Sequence, residues 1–190
     1  MKKNLAIFAS GNGSNAEKIW DFFNDHSELS FPVLVSSNPE APVVQKGKIR
    51  DLKIYFFPQK GISLWDLVKF LKENSIEGLV LSGYLKKIPK ELIKIFPQKI
   101  INIHPSLLPR YGGKGMYGMH VHDAVVTNKE NYSGITIHLV TENYDEGPPL
   151  LQVEINIQHI TNAEELSTEI RILEHAFYPP FIEAYFCREG

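Results

Sequence analysis

The sequence predicts an α/β fold, a three-layer sandwich with a mostly parallel central sheet and an antiparallel C-terminal portion. Three observations predict it. Short apolar or β-branched runs of strand length alternate with helical patterns through the first hundred residues, which calls for crossover connections and parallel pairing. The first run passes directly into a glycine turn and a helix, the opening of a Rossmann-like unit. Beyond residue 130 two strand patterns follow one another with only a proline-containing turn between them, which suits a mixed sheet or a sheet edge.

The bulk properties narrow the class. With 190 residues, 43% of them hydrophobic, the chain can fill one core and is short for two, so a single domain over 1–190 is expected. A formal net charge of -2 gives no basic field to hold a nucleic-acid backbone, and the charges at Lys86-Lys87 and over 46–50 read as solvated faces. Cys187 is the sole cysteine, so no internal disulfide is possible and a reducing compartment is compatible. The apolar run at 5–9 is too short for a signal peptide or a membrane span, which makes the cytoplasm the expected location, without membrane association.

Taken in order, residues 5–9 form the first strand. Ser10-Gly11-Asn12-Gly13-Ser14-Asn15-Ala16 follows, then a helix through Ile19, Trp20, Phe22 and Phe23. Gly11, Gly13 and Ala16 satisfy the G-x-G-x-x-A dinucleotide fingerprint. The second strand, 31–35, should then end near an acidic residue for a ribose diol, but it runs into Ser36-Ser37-Asn38-Pro39 with Glu40 past the proline. Glycines with Ser14 and Asn15 at a helix N-terminus suit a terminal phosphate instead, held by backbone N–H groups, a hydroxyl and the helix dipole. A dinucleotide and a plain tight turn stay open as alternatives.

A helix over 43–52, a strand at 54–57, a helix at 64–73 and a strand at 78–82 continue the alternation. Gly83 to Pro89 follows at the C-terminal end of that strand, where a ligand-binding loop belongs. Pro89 opens a short helix to 96 and Pro97 ends it. The central strand, 99–103, stops at Pro105 and Pro109. Four glycines within 110–119 leave little side-chain mass for a core, so this loop is expected to be mobile and close to the site. His120-Val121-His122 leads into a helix around 124–127, and strands follow at 134–140 and 150–157. Thr161 with Glu164 three later reads as a capping box opening the last helix, whose apolar residues Leu166, Ile170, Leu173 and Phe177 continue after a Pro179-Pro180 interruption as Phe181 and Ala184.

The chemistry concentrates at Asn102 and His104. Two residues apart on a strand, they leave on one face at its C-terminal end, and an amide donor beside an imidazole suits negative charge on a carbonyl oxygen. A helix cap and a packed histidine are the plainer account of the same pair. His104 needs a carboxylate, and the best candidate is Asp145 in a turn between two predicted strands, with Glu146 its rival. Histidines 104, 120, 122 and 138 raise a zinc hydrolase as a competing reading, but there is no His-Glu-x-x-His and no assisting cysteine, so no metal is expected. A serine hydrolase lacks its Gly-x-Ser-x-Gly elbow, and Ser106 lies among prolines.

These residues carry a family resemblance. Asn102-Ile103-His104-Pro105-Ser106-Leu107-Leu108-Pro109 looks like the signature of the folate-dependent formyltransferases, and Ser10 to Asn15 resembles the phosphate loop of the members that formylate phosphoribosylglycinamide in purine synthesis. Stretches 134–140, 145–152 and Glu174-His175-Ala176-Phe177-Tyr178-Pro179 are similar to further family blocks. The resemblance implies 10-formyltetrahydrofolate as co-substrate, phosphoribosylglycinamide as acceptor, and Asn102, His104 and Asp145 as the catalytic trio. It implies too that Gly13, Ser14 and Asn15 bind the acceptor's phosphate and that Glu174, with Arg171, holds its ribose. The folate pocket would be lined by Leu85, Lys86, Lys87 and Ile88, by Asn102, and by Thr141, Glu142, Asn143 and Tyr144 with Asp145. Relatives that act on methionyl-tRNA or deformylate the folate carry an extra domain, for which 190 residues leave no room. Two departures stand out: Lys86 falls where relatives often have arginine, whose bidentate grip a lysine does not reproduce, and the segment 58–63 is short where some relatives place an arginine near the folate tail. A monomer or homodimer is compatible, and a different amine acceptor or a non-catalytic nucleotide- and folate-binding protein are the alternatives.

Overall fold

Strands that are apolar on both faces can be buried only by helices on both faces of their sheet. The computed structural model, which describes residues 2–187, is built that way. Its elements run β1 (Lys3–Phe8), α1 (Ser14–Phe22), β2 (Leu29–Ser36), α2 (Pro42–Ile49), β3 (Lys53–Phe56), α3 (Leu64–Glu73), β4 (Ile76–Leu81), α4 (Lys90–Ile95), β5 (Ile100–His104), α5 (Met119–Thr127), β6 (Tyr132–Leu139), β7 (Pro149–Asn156) and α6 (Ala163–Cys187). In β1, Leu5 and Ile7 face the core under α1, α2 and α6, while Ala6 and Phe8 face the core under α3 and α4. Three layers follow from that alternation.

The seven strands lie in the order β3-β2-β1-β4-β5-β6-β7. The first five are parallel, and β5–β6 and β6–β7 are antiparallel, as the sequence predicts. Pro149 begins the edge strand β7, where a missing N–H costs no ladder bond. Strand order reverses between β1 and β4, so the loops leaving their C-terminal ends diverge and open a crevice. Gly11 to Gly13 leaves one side of it and Ser82 to Tyr84 the other.

Three local expectations are corrected. The box opening α6 is one residue later than Thr161 and Glu164: Asn162 Oδ1 accepts from Glu165 N at 2.9 Å, and the Glu165 carboxylate accepts from Thr161 N at 3.1 Å. Ala163 and Leu166, in the first turn after this cap, are buried in the core. Helix α6 also runs through Pro179 and Pro180 without a break. Each proline removes a hydrogen bond and costs about 3 kcal/mol in a helix interior. The adjoining residues outweigh that: Tyr178, Ile182 and Phe186 are buried at about 1.5–3 kcal/mol each, and the Tyr178 hydroxyl donates to the Leu81 carbonyl at 2.8 Å. Finally, α5 begins at Met119, so His120 and His122 lie inside the helix, not ahead of it.

Candidate active site

Several chain segments meet at the C-terminal ends of β1, β4 and β5 around a cavity of about 540 Å³. One end is the glycine turn. Gly13 caps α1 with a φ of 78° and no side-chain cap, so the N–H groups of the first helical turn at Ser14 and Asn15 stay available on the cavity wall. A Cβ at Gly13 would run into the Val43 side chain, so the packing of α2 against the turn demands this glycine. Arg171, Glu174 and Ser167 of α6 form the facing wall. Asn15 Nδ2 donates to Glu174 Oε2 at 2.9 Å, and burial raises the Glu174 carboxyl above the ordinary carboxylate range against the opposing pull of Asn15 and Arg171. Asn15 Oδ1 is buried and has no hydrogen-bond partner among the described residues.

The other end is β5 with the turn between β6 and β7. Asn102 pairs across the sheet with His138, and His104 with Thr136. His138 is 2% exposed, and burial holds its pKa below the ordinary histidine value. Its Nδ1 lies 2.9 Å from the Leu139 carbonyl, which can only accept, so Nδ1 carries the proton and Nε2 accepts from Asn102 Nδ2 at 3.0 Å. That bond uses one N–H of the amide, and Asn102 itself lines the cavity. His104 is 4% exposed and its Nε2–H donates to the Tyr111 carbonyl at 2.8 Å. Its Nδ1 is 3.6 Å from Asp145 Oδ2, while Asp145 Oδ1 is 3.6 Å from His138 Nε2. Asp145 is itself placed by Gly113 N, which donates to Oδ2 at 2.9 Å. Glu146, the rival carboxylate, is exposed and accepts from Asn143 at 2.7 Å.

Of the residues singled out from sequence, Gly13, Ser14, Asn15, Leu85, Asn102, His104, Tyr144, Asp145, Arg171 and Glu174 all line this one cavity. Lys86, Lys87 and Glu142 are exposed and outside its lining, Ile88 is turned into the core under α3 and α4, and Thr141 and Asn143 are occupied with their own turn. No role was expected for Met116, Tyr117 and Ser167 on the wall; Tyr84 comes from the expected ligand loop, and His122, like His138 behind Asn102, was expected only as a candidate metal ligand. The glycine-rich stretch did signal the loop carrying Met116 and Tyr117. Only strand pairing could have linked His138 to Asn102. Among the described residues, no group of three or more histidine, cysteine or acidic side chains is placed to hold a metal, and no helix is long and apolar enough to cross a membrane.

The comparisons with known proteins agree with one another. Phosphoribosylglycinamide formyltransferase of Bacillus subtilis (strain 168) is 33% identical to the chain, covering 95% of it and 93% of the relative. The chloroplastic phosphoribosylglycinamide formyltransferase of Vigna unguiculata is 40% identical across 99% of the chain; the chain spans 62% of that relative's length, and 66% of its Arabidopsis thaliana counterpart. The crystal structure of phosphoribosylglycinamide formyltransferase from Bacillus Halodurans superposes with a TM-score of 0.82 at 33% identity, covering 93% of this chain and 92% of that one. A family model described as formyl transferase matches residues 3–182, and with that match the chain belongs to the formyl transferase family.

Proposed function

We propose that this chain is a single-domain phosphoribosylglycinamide formyltransferase, moving the formyl group of 10-formyltetrahydrofolate to the glycinamide amine in purine synthesis. The observation that carries the reading is the convergence of Asn102, His104 and Asp145 at one end of a cavity whose other end is an uncapped helix N-terminus. The phosphate rests on the N–H groups at Gly13, Ser14 and Asn15, and Glu174 with Arg171 takes the ribose. The folate enters over Leu85 and Tyr144, with Lys86, Lys87, Ile88 and residues 141–143 shaping the loops that hold those two. A monomer or a homodimer is compatible with this reading. The cytoplasm is the compartment we propose.

The neutral amine attacks the formyl carbon, giving a tetrahedral intermediate with a negative oxygen. The free Asn102 N–H and protonated His104 hold that oxygen; Asp145 faces the imidazolium and relays a proton from the attacking nitrogen toward N10 as the C–N10 bond breaks. No step calls for a metal. An assay of the purified protein with phosphoribosylglycinamide and 10-formyltetrahydrofolate should yield formylated ribonucleotide and tetrahydrofolate in equal amounts. Absence of turnover with both substrates bound would replace this reading with a non-catalytic binding protein, and turnover with another amine alone would move the acceptor. Elemental analysis should find no stoichiometric zinc.

A further inference from the structure

Tyr111 has a φ of 57°, a left-handed backbone that a bulky side chain rarely adopts unless its surroundings impose it. The surroundings are on the outer side of the loop, away from the cavity. The Tyr111 hydroxyl donates to Glu130 Oε1 at 2.6 Å, the Arg110 guanidinium pairs with the same oxygen, and the ring packs against the core. Ser106, fully buried, donates from Oγ to the Arg110 carbonyl at 2.8 Å. Held in this way, the backbone presents the Tyr111 carbonyl to His104 Nε2 and, two residues on, the Gly113 N–H to Asp145. One short piece of chain therefore grips both partners of the imidazole–carboxylate pair.

A carbonyl accepts only, so His104 must carry a proton on Nε2, and Nδ1 is left as the nitrogen that gains and loses one opposite Asp145. Glu130 does not line the cavity; it borders a separate one of about 210 Å³ with Arg110 and Tyr111. We propose that Glu130 is a positioning residue for formyl transfer, fixing the tautomer and placement of His104 through the Tyr111 hydroxyl and carbonyl. The proposal rests on the formyltransferase reading for its kinetic consequence, but not for its structural one. Arg110 is largely exposed, so its ion pair adds little, and the hydroxyl bond is the part that matters.

The test compares Glu130→Ala, Glu130→Gln and Tyr111→Phe with the parent chain. Nitrogen-15 histidine spectra, with His104 assigned by the signal lost in His104→Gln, report which ring nitrogen is protonated at neutral pH and as the pH is lowered. The groups facing this ring are Asp145, with His138 and His122 beyond it, and none is altered in the variants. The parent should hold the proton on Nε2; Glu130→Ala and Tyr111→Phe should mix the two tautomers and lower kcat about tenfold, with KM for both substrates within about twofold. Glu130→Gln, which can still accept from the hydroxyl, should restore both readouts. Unchanged ring nitrogens in Glu130→Ala and Tyr111→Phe, or a change in KM alone, would overturn the proposal. If Glu130→Ala fails to fold, Tyr111→Phe keeps the ring in the core and decides the matter. If the parent transfers no formyl group the reaction reading fails, while the tautomer spectra still decide the role of Glu130.

Discussion

His104 and His138 flank the same carboxylate, yet the partner of each ring's other nitrogen gives them different tasks. The Leu139 carbonyl leaves His138 Nε2 as an acceptor that aims the Asn102 amide, and the Tyr111 carbonyl leaves His104 Nδ1 free to exchange a proton. An oxyanion donor is worth about 3 kcal/mol, so Asn102→Ala or His104→Ala should lower kcat about a hundredfold or more in steady-state assays while circular dichroism stays unchanged. Asp145→Asn should lose a similar factor, because a neutral amide no longer favours the charged imidazole. Asn102 and His104 were legible from their spacing on a β-branched run, and Asp145 from a carboxylate in a turn between strands. His138 was not, since the partner that gives it meaning is 36 residues away and is brought alongside only by antiparallel pairing.

Among the elements, α6 and the turn after β6 carry the clearest consequences. Pro180 is exposed, so Pro180→Ala sacrifices little packing and restores a donor to the helix; the gain of about 3 kcal/mol is offset by about 1 kcal/mol from a looser unfolded chain. A melting temperature raised by about 2–4 °C per kcal/mol should follow in calorimetry. Gly147 is buried where a Cβ would strike the Leu139 carbonyl. Gly147→Ala should push the turn off β6 and move Asp145, two residues away, with it: a loss of about 1–3 kcal/mol in urea unfolding accompanied by a fall in kcat. Strand and helix order could be read from periodicity because the rule is local. The uninterrupted α6 could not, because local chemistry argues for a break at Pro179-Pro180 and the packing of Tyr178, Ile182 and Phe186 overrides it.

At the scale of the whole molecule, buried histidines set the acid limit. Burial lowers the His122 pKa to about 4, against an ordinary value of 6.5, and lowers His138 and His175 in the same direction. A base whose folded pKa lies below its unfolded one binds more protons when unfolded, so stability is complete above pH 6.5 and drains away as the pH falls toward 4. The melting temperature should therefore decline across that window, and His122→Asn, which cannot protonate, should flatten part of the decline. A flat parent profile between pH 7 and 4 would mean that these rings are hydrated and charge freely.

Which strands and helices form, the order in which they alternate along the chain and the polar residues worth watching follow from local composition and period, so the chain alone determined them. The tertiary structure decided which of those residues share a wall: it set Arg171 and Glu174 opposite the glycine turn, brought Asp145 to within 3.6 Å of His104, and turned Ile88 inward. The reason is physical. Periodicity reports the face on which a side chain leaves its own element, whereas distances between elements arise from the order and register of strands, which long-range packing alone sets.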